Sequence, residues 1–476
     1  MVSIKKYKDK ITWVVFGLFL IITFSGILYH EPWSDEAQVW LMARDLTFSK
    51  LIQQLPYEGT PGLWHALVFP IAKLNLPYEA QAWLHWLIIS SAIFIFLFFS
   101  TIPKRIKALF VFSYYPIYEY AVIARNYSIS LLFIFILSAL HKERFVRPIT
   151  YSLFLGLLFQ TNLLVFFPAI LLMFLFIIDS YKNESILKNN KYLISISIMI
   201  TSACLAILQI IPYPGQLHAH LSSLRISELS SSLAGIFLPI NGGYGEVFFI
   251  NIWSQVLSLL TLFCLILLAY FLIKNIKVRL GLLLSWAWLI FIFLAKPIGA
   301  LRHYGFFIIF LITAWWLDRY YLQSKNKASH IATSLIGLLL LPGIIIAGNN
   351  YVKEYKYNFC GGKEMARYLK DNNLEDAHIA SLSSPINMSL LPYLPNTKFW
   401  QAERQVFGTY TTYDAAFING LVDHELRKEK IIQNFANQDF LLLTTFKIDS
   451  ENWLLITQNK KPSFSGGFFY LYRFLK

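Results

Sequence analysis

Four short groups of polar residues interrupt an otherwise apolar chain. His30-Glu31-Pro32-Trp33-Ser34-Asp35-Glu36 follows the first apolar run directly. Tyr57-Glu58-Gly59-Thr60-Pro61-Gly62-Leu63-Trp64-His65 comes next. Tyr118-Glu119-Tyr120 leads into Ala124-Arg125-Asn126-Tyr127-Ser128, and Lys296-Pro297 leads into Arg302-His303-Tyr304. A positioned carboxylate can take a proton from a hydroxyl. Arg, Lys and protonated His can hold a phosphate and stabilise charge that develops on it.

Each group also has a plainer reading. Ser34 suits a helix N-cap, with Asp35 and Glu36 favourable in the first turn of that helix. Glu58 lies in a Gly- and Pro-rich turn, and His65 alone suits an ordinary interfacial histidine. Glu119 and Arg125 stand near membrane depth, where charges either pair with each other or mark a functional cavity. Lys296, Arg302 and His303 invite an anionic ligand, or they snorkel toward headgroups.

The elements that must position these groups are membrane helices. The 476 residues are 56% hydrophobic, 17% aromatic and only 14% charged, against roughly a quarter charged in soluble domains. Mean hydropathy is +0.52. Net charge is +14, but the basic residues cluster between apolar runs. That is the topology bias of membrane proteins, and it argues against a nucleic-acid partner. Cys204 and Cys264 sit inside apolar runs and Cys360 stands alone, so neither a disulfide framework nor a metal spacing is present. No cofactor is expected; a divalent metal would find only carboxylates and scattered histidines, with no ligand spacing among them.

Apolar runs lie near 11–29, 82–101, 105–123, 127–140, 192–211, 252–273, 280–295, 304–317 and 331–347. The stretch 148–178 is too long for one span, and basic residues flank both of its ends. Two helices broken near Gln160-Thr161-Asn162 reconcile this, giving about eleven spans. Lys5, Lys6, Lys8 and Lys10 precede a first run that lacks a small-residue cleavage site. It reads as an uncleaved anchor with a cytoplasmic N-terminus. An odd number of spans then puts the C-terminus outside the cell. The outer loops 30–80 and 212–251 are long, and the first is amphipathic enough for helices lying in the interface plane. The expected domains are 1–348 in the membrane and 349–476 as an extracytoplasmic α/β unit. In the latter, Lys363–Lys370 and most of Tyr413–Asn437 read as helices. Ala377–Ser381, Phe440–Thr445 and Phe468–Phe474 read as strands.

The pattern resembles the GT-C superfamily of membrane glycosyltransferases. The residues that carry the likeness are the Asp35-Glu36 pair after the first span, the Thr60-Pro61-Gly62 turn before an apolar helix, Ala124-Arg125-Asn126-Tyr127-Ser128, and Arg302-His303-Tyr304. Within the superfamily the chain is similar to the protein mannosyltransferase and aminoarabinose transferase branch, over roughly residues 1–320. The resemblance implies a polytopic enzyme that takes a sugar from a polyprenyl-phosphate donor with inversion, on the outer side of a bacterial inner or plasma membrane. It implies Asp35 as the base, with Glu36 the alternative and Glu119 a second acid. Glu119 matches imperfectly, because relatives place a Glu where Ile123 stands. Glu58, His65, Arg125, Tyr127, Lys296, Arg302, His303 and Tyr304 would bind substrate. Partners would be the lipid-linked donor and membrane lipid, with the acceptor unspecified. Two other classes fit the composition: a flippase for a lipid-linked saccharide, and a membrane assembly protein without catalysis. A transporter would more often show internal repeats or charged broken helices at mid-membrane, and the sequence shows neither.

Overall fold

The computed structural model describes residues 9–181, 190–215, 226–240, 252–295, 301–321, 330–436, 438–464 and 467–475. Backbone amides cannot hydrogen-bond to lipid, so apolar runs of this length satisfy them within helices. Such helices are α1 (Lys10–Tyr29), α5 (Ala80–Phe99), α9 (Phe166–Tyr181), α10 (Asn190–Ile210), α11 (Ile252–Leu272), α12 (Ile276–Ala295) and α14 (His330–Lys356). Among the described residues these seven, α9 taken with the 3-10 turn before it, are long and apolar enough to cross a membrane. The chain is a multi-pass integral membrane protein.

The remaining apolar runs are helical but shorter or more polar: α6 (Lys104–Phe112), α7 (Tyr127–Leu140), α8 (Pro148–Phe159) and α13 (Leu301–Tyr321). In α13 nearly every residue is buried, on all sides of the helix, as befits a helix at the centre of a bundle. The expected break at 160–162 is present. Helix α8 stops at Phe159, and the Asn162 side chain accepts from the amides of Leu164 and Val165, capping the next turn. The run 105–123 is not one helix. After α6 the chain forms a π turn over Tyr115–Glu119, closed by the Tyr120 amide on the Tyr115 carbonyl at 2.8 Å. Pro116 sits there and has no amide to continue an α-helical ladder.

The segment after α1 folds as α2 (Ser34–Asp45), α3 (Phe48–Glu58) and α4 (Leu63–Lys73). The expectation of helices lying in the interface plane fails for α2. Ser34 and every residue from Glu36 to Ala43 are buried. Helix α4 packs on one side, and the 384–393 segment of the C-terminal unit packs against it too. An apolar-rich helix with charged ends reads alike in sequence whether lipid or protein covers it.

Beyond α14 lie α15 (Gly362–Asp371), α16 (His424–Asn434) and a six-stranded mixed sheet. Its strands are β1 (Ile379–Ser381), β2 (Phe399–Gln401), β3 (Val406–Gly408), β4 (Leu441–Thr444), β5 (Trp453–Gln458) and β6 (Tyr470–Phe474), in the order β3-β2-β1-β4-β6-β5. The inner strands β1 and β4 are parallel and buried throughout, the usual state of parallel strands. Strands β2 and β3, at three residues each, are too short to show alternation. Strand β5, at the sheet edge, carries a register shift between Leu455 and Thr457 that interrupts its alternation.

This unit is seated on helices α2 and α3. Gln38 exchanges two bonds with the Thr411 backbone, at 2.6 and 3.0 Å. Gln54 donates to Thr412 Oγ1 at 3.2 Å, and Arg44 to the Leu391 carbonyl at 3.0 Å. Both carboxylate oxygens of Glu31 are held by backbone amides, of Gly361 at 2.8 Å and Lys363 at 2.5 Å. These bonds fix the unit over the ends of α1 and α2.

One glycine sets how closely α13 approaches the π turn. A Cβ on Gly305 would stand 2.5 Å from the Tyr115 ring and from the Tyr120 hydroxyl. Both rings are buried and have little room to yield. Gly305→Ala should therefore destabilise the protein by about 1–3 kcal/mol, read as a lowered thermal midpoint in detergent. Gly281→Ala in α12 is the control, since a Cβ there meets nothing within 4 Å. Equal midpoints for the two variants would remove the steric argument.

Candidate functional site

The site is organised around a residue that does not itself reach solvent. Trp33, not Ser34, is the N-cap of α2; Ser34 is already helical. The cap bond comes from Glu36, three residues into the helix, whose Oε2 accepts from the Trp33 amide at 3.1 Å. A carboxylate can satisfy the first amides of a helix as well as a serine hydroxyl does. The same oxygen meets His30 Nε2 at 3.0 Å, while Oε1 accepts from the Ala124 amide at 2.6 Å. Glu36 is 0% exposed. It therefore ties the residue before Arg125 to the residue after Asp35.

His30 continues this network. Its Nδ1 meets Glu354 Oε1 at 3.0 Å, and Tyr118 Oη donates to that oxygen at 2.7 Å. Both ring nitrogens face carboxylates, so both must donate, which only the imidazolium can do. Burial works against that charge, but Glu354 and Glu36 outweigh it and raise the His30 pKa to about 10.

Asp35, one residue away on the helix, turns toward solvent. Its Oδ2 accepts from Arg125 Nη1, and from Arg302 Nη2 at 3.3 Å. The Asp35 side chain is 30% exposed and those of the two arginines 18% and 14%. The arginines are held from behind. The Arg302 guanidinium lies over the Trp33 ring at 5.6 Å and that of Arg125 over the Tyr127 ring at 5.7 Å. Tyr120 Oη donates to the Arg302 carbonyl at 2.6 Å, and Tyr127 Oη meets His303 Nε2 at 2.8 Å. Asn126 donates to Thr60 Oγ1 at 3.3 Å and to the Thr161 carbonyl at 3.0 Å. The Thr60 turn, the Arg125 turn, the break at 160–162 and the start of α13 thus meet at one place.

Asp35, Arg125, Tyr127, Arg302 and His303 are brought together, with Glu36 beneath them. Other expected residues sit elsewhere. Glu58 accepts from Gln38 at 2.9 Å. Part of it reaches solvent, yet its carboxyl lies deep enough that burial raises its pKa to about 7 against that bond. His65 in α4 is buried, and neither ring nitrogen has a hydrogen-bond partner among the described residues. Burial lowers its pKa to about 4, so it is neutral and no cation for a phosphate. Glu119 lies in the π turn, 2% exposed, accepting from Tyr114 Oη at 2.8 Å. Tyr304 is buried against the Phe293 ring. Lys296 lies outside the described residues. Sequence reasoning missed Glu354, which meets His30 across 324 residues, and it missed the Gln38 bridge to the C-terminal unit. Only the polarity of Glu354 near the end of a long apolar helix hinted at it.

No protein-family model and no curated protein matches the chain. Solved structures do. ArnT from Cupriavidus metallidurans bound to undecaprenyl phosphate superposes with a TM-score of 0.53 at 10% identity, covering 97% of this chain and 98% of that one. The apo state of ArnT from the same organism gives a TM-score of 0.45 at 10% identity, over 96% and 97%. The chain has the fold of ArnT, as the GT-C resemblance implied.

The His30 network makes stability depend on pH. A base whose folded pKa is raised stabilises the fold below its ordinary value. That contribution fades as pH climbs through the folded one. For His30 the window runs from 6.5 to about 10. The thermal midpoint should fall as pH rises across that window, and His30→Gln should flatten the decline while lowering the midpoint near neutrality. An unchanged slope in His30→Gln would show that the buried imidazolium is not its source.

Proposed function

We propose that this chain is an inverting glycosyltransferase. It takes a sugar from a polyprenyl-phosphate donor and transfers it to a hydroxyl acceptor on the outer side of the membrane. The observation that carries the reading is the Asp35 carboxylate, partly open to solvent and bridged by two arginines braced on aromatic rings. The likeness of fold to an ArnT bound to undecaprenyl phosphate supports a polyprenyl-phosphate ligand. Charge bias supports the side: segments such as Lys104-Arg105-Lys107 and Lys274–Arg279 belong in the cytoplasm, so residues 30–80 and the C-terminal unit face outward.

Asp35 is the base. It accepts the proton of the acceptor hydroxyl as that oxygen attacks the anomeric carbon. The bond from that carbon to the phosphate oxygen breaks on the opposite face. The polyprenyl phosphate leaves with the bonding electrons, and its charge is taken up by Arg125 and Arg302. A departing phosphate is a stable anion and needs no acid. The two cations that hold Asp35 are the two a donor phosphate would draw away. Donor binding then leaves the carboxylate free for the acceptor proton. Glu36 has no part in proton transfer, since both its oxygens are used in holding the frame. Glu58 and Glu119, away from Asp35 and engaged by Gln38 and Tyr114, have no part in this step.

Purified variants with a synthetic polyprenyl-phosphate sugar test this. Asp35→Asn keeps shape but cannot take a proton, so transfer should fall by about 10²–10⁴-fold while donor binding is kept or tightened, because the arginines lose a competing carboxylate. Arg302→Ala removes a charge-assisted contact worth about 1.5–3 kcal/mol, weakening donor binding roughly ten- to a hundredfold. Arg302→Lys should recover only part, lacking the planar fork. Near-normal transfer by Asp35→Asn would end the assignment of the base. A flippase would instead move the lipid-linked sugar across vesicles without cleaving it.

A further inference from the structure

A separate cavity lies away from Asp35. It is a cleft of about 580 Å³ between the outer ends of α1 and α5 and the underside of the C-terminal unit. Its lower lip is apolar and aromatic. Leu28 and Tyr29 are each 61% exposed and Trp83 48%, on helices long and apolar enough to span the membrane. Its upper lip carries Arg367 from α15 with Lys460 and Lys461 from the loop after β5. A cleft that is apolar below and cationic above, at the level where spanning helices end, has the polarity profile of a lipid at the membrane surface.

Four acids and four lysines or arginines line the cleft, so ion pairing, not net charge, sets Arg367, Lys460 and Lys461 apart. Both oxygens of Glu31 are held by the amides of Gly361 and Lys363. Those of Glu364 accept from Asn358 at 2.9 Å and from the Lys460 amide at 2.8 Å. Glu79 stands 3.8 Å from Lys363, which it offsets. Asp371 is exposed as well. Arg367, Lys460 and Lys461 pair with no carboxylate among the described residues. They occupy two separate elements, α15 and the loop after β5, so they converge on the cleft only because the fold brings those elements together.

We infer that this cleft binds the phosphate headgroup of an anionic phospholipid that enters sideways from the membrane. Its acyl chains would lie along Leu28 and Trp83, and its phosphate would meet Arg367, Lys460 and Lys461. The lipid would pin the C-terminal unit to the membrane surface. Glu31 already links α1 to α15 beside it. This inference does not depend on the proposed glycosyl transfer.

The test uses full-length protein in detergent, with phosphatidylglycerol and phosphatidylcholine counted by native mass spectrometry and by their effect on the thermal midpoint. Wild type should retain phosphatidylglycerol in preference and be stabilised by it. The combined Arg367→Gln, Lys460→Gln, Lys461→Gln variant should bind it roughly a hundredfold more weakly, with the lipid-free midpoint unchanged. Each single substitution should give a graded part of that loss. Lys50→Gln with Lys398→Gln, exposed cations elsewhere, should behave as wild type. Undiminished phosphatidylglycerol binding in the combined variant would overturn the inference. So would equal binding of soluble glycerol phosphate, which would make the site one for a free anion. A matching loss of undecaprenyl phosphate binding would overturn it too, by making the cleft part of a polyprenyl-phosphate site.

Discussion

The arrangement around Asp35 depends on one buried carboxylate. Glu36 must be paid for, because removing a carboxylate from water costs several kcal/mol even after relaxation. Three donors meet it: the Trp33 amide, the Ala124 amide and the His30 imidazolium. The first starts α2, the second fixes the turn that presents Arg125, and the third reaches α14 through Glu354. Helix α2 cannot shift without breaking a bond to a different part of the chain. Truncating such a group leaves an uncompensated buried charge, a loss of about 3–5 kcal/mol. Buried ion pairs seldom add much stability over apolar packing, but they do select one register over others. Here the register selected is the one that sets Asp35 against Arg125.

That frame explains how adjacent carboxylates take opposite roles. Successive helical residues point about 100° apart. With Glu36 turned inward to cap the helix, Asp35 must face the solvent side, where Arg125 and Arg302 meet it. The C-terminal unit completes the arrangement from above. Its bonds to Gln38, Gln54 and Arg44 cover α2, so the helix that carries Asp35 is packed between membrane helices and protein.

Much of this was legible in the sequence, because membrane helices announce themselves by composition. The runs, the break at 160–162 and the turn to a charged α/β unit after the last span each left a local signal. Arg302 was legible as a cation against the topology bias, Arg125 as a charge near membrane depth, and Asp35 through the GT-C resemblance. What was not legible depends on contacts between distant segments. The Glu36 cap replaced the Ser34 cap because a carboxylate three residues into the helix can reach the same amide. Glu354 joined His30 by fold alone. His65, at the head of an apolar helix, is a lone polar residue whose burial no nearby pattern reports. The short strands β2 and β3 hold their places by pairing with neighbours and not by any period of their own.

The bracing also bears on which class of activity suits this face. Alternating access requires one half of a protein to rock against the other around its site, and the groups lining it need two arrangements. Here the Asp35 cluster draws on α2, the turns at Thr60 and Arg125, the break at 160–162 and α13. Hydrogen bonds tie these segments to one another, and the C-terminal unit is bonded across the top. A rocking motion would have to break several of them at once, among them bonds to a buried carboxylate. Chemistry makes the reverse demand: a base and two cations each carried on a fixed frame, so that little reorganisation is needed when charge develops. The soft element is the pairing of Asp35 with its arginines, in a partly exposed setting where an incoming anion can compete. A rigid frame around one exchangeable ion pair suits transfer better than transport.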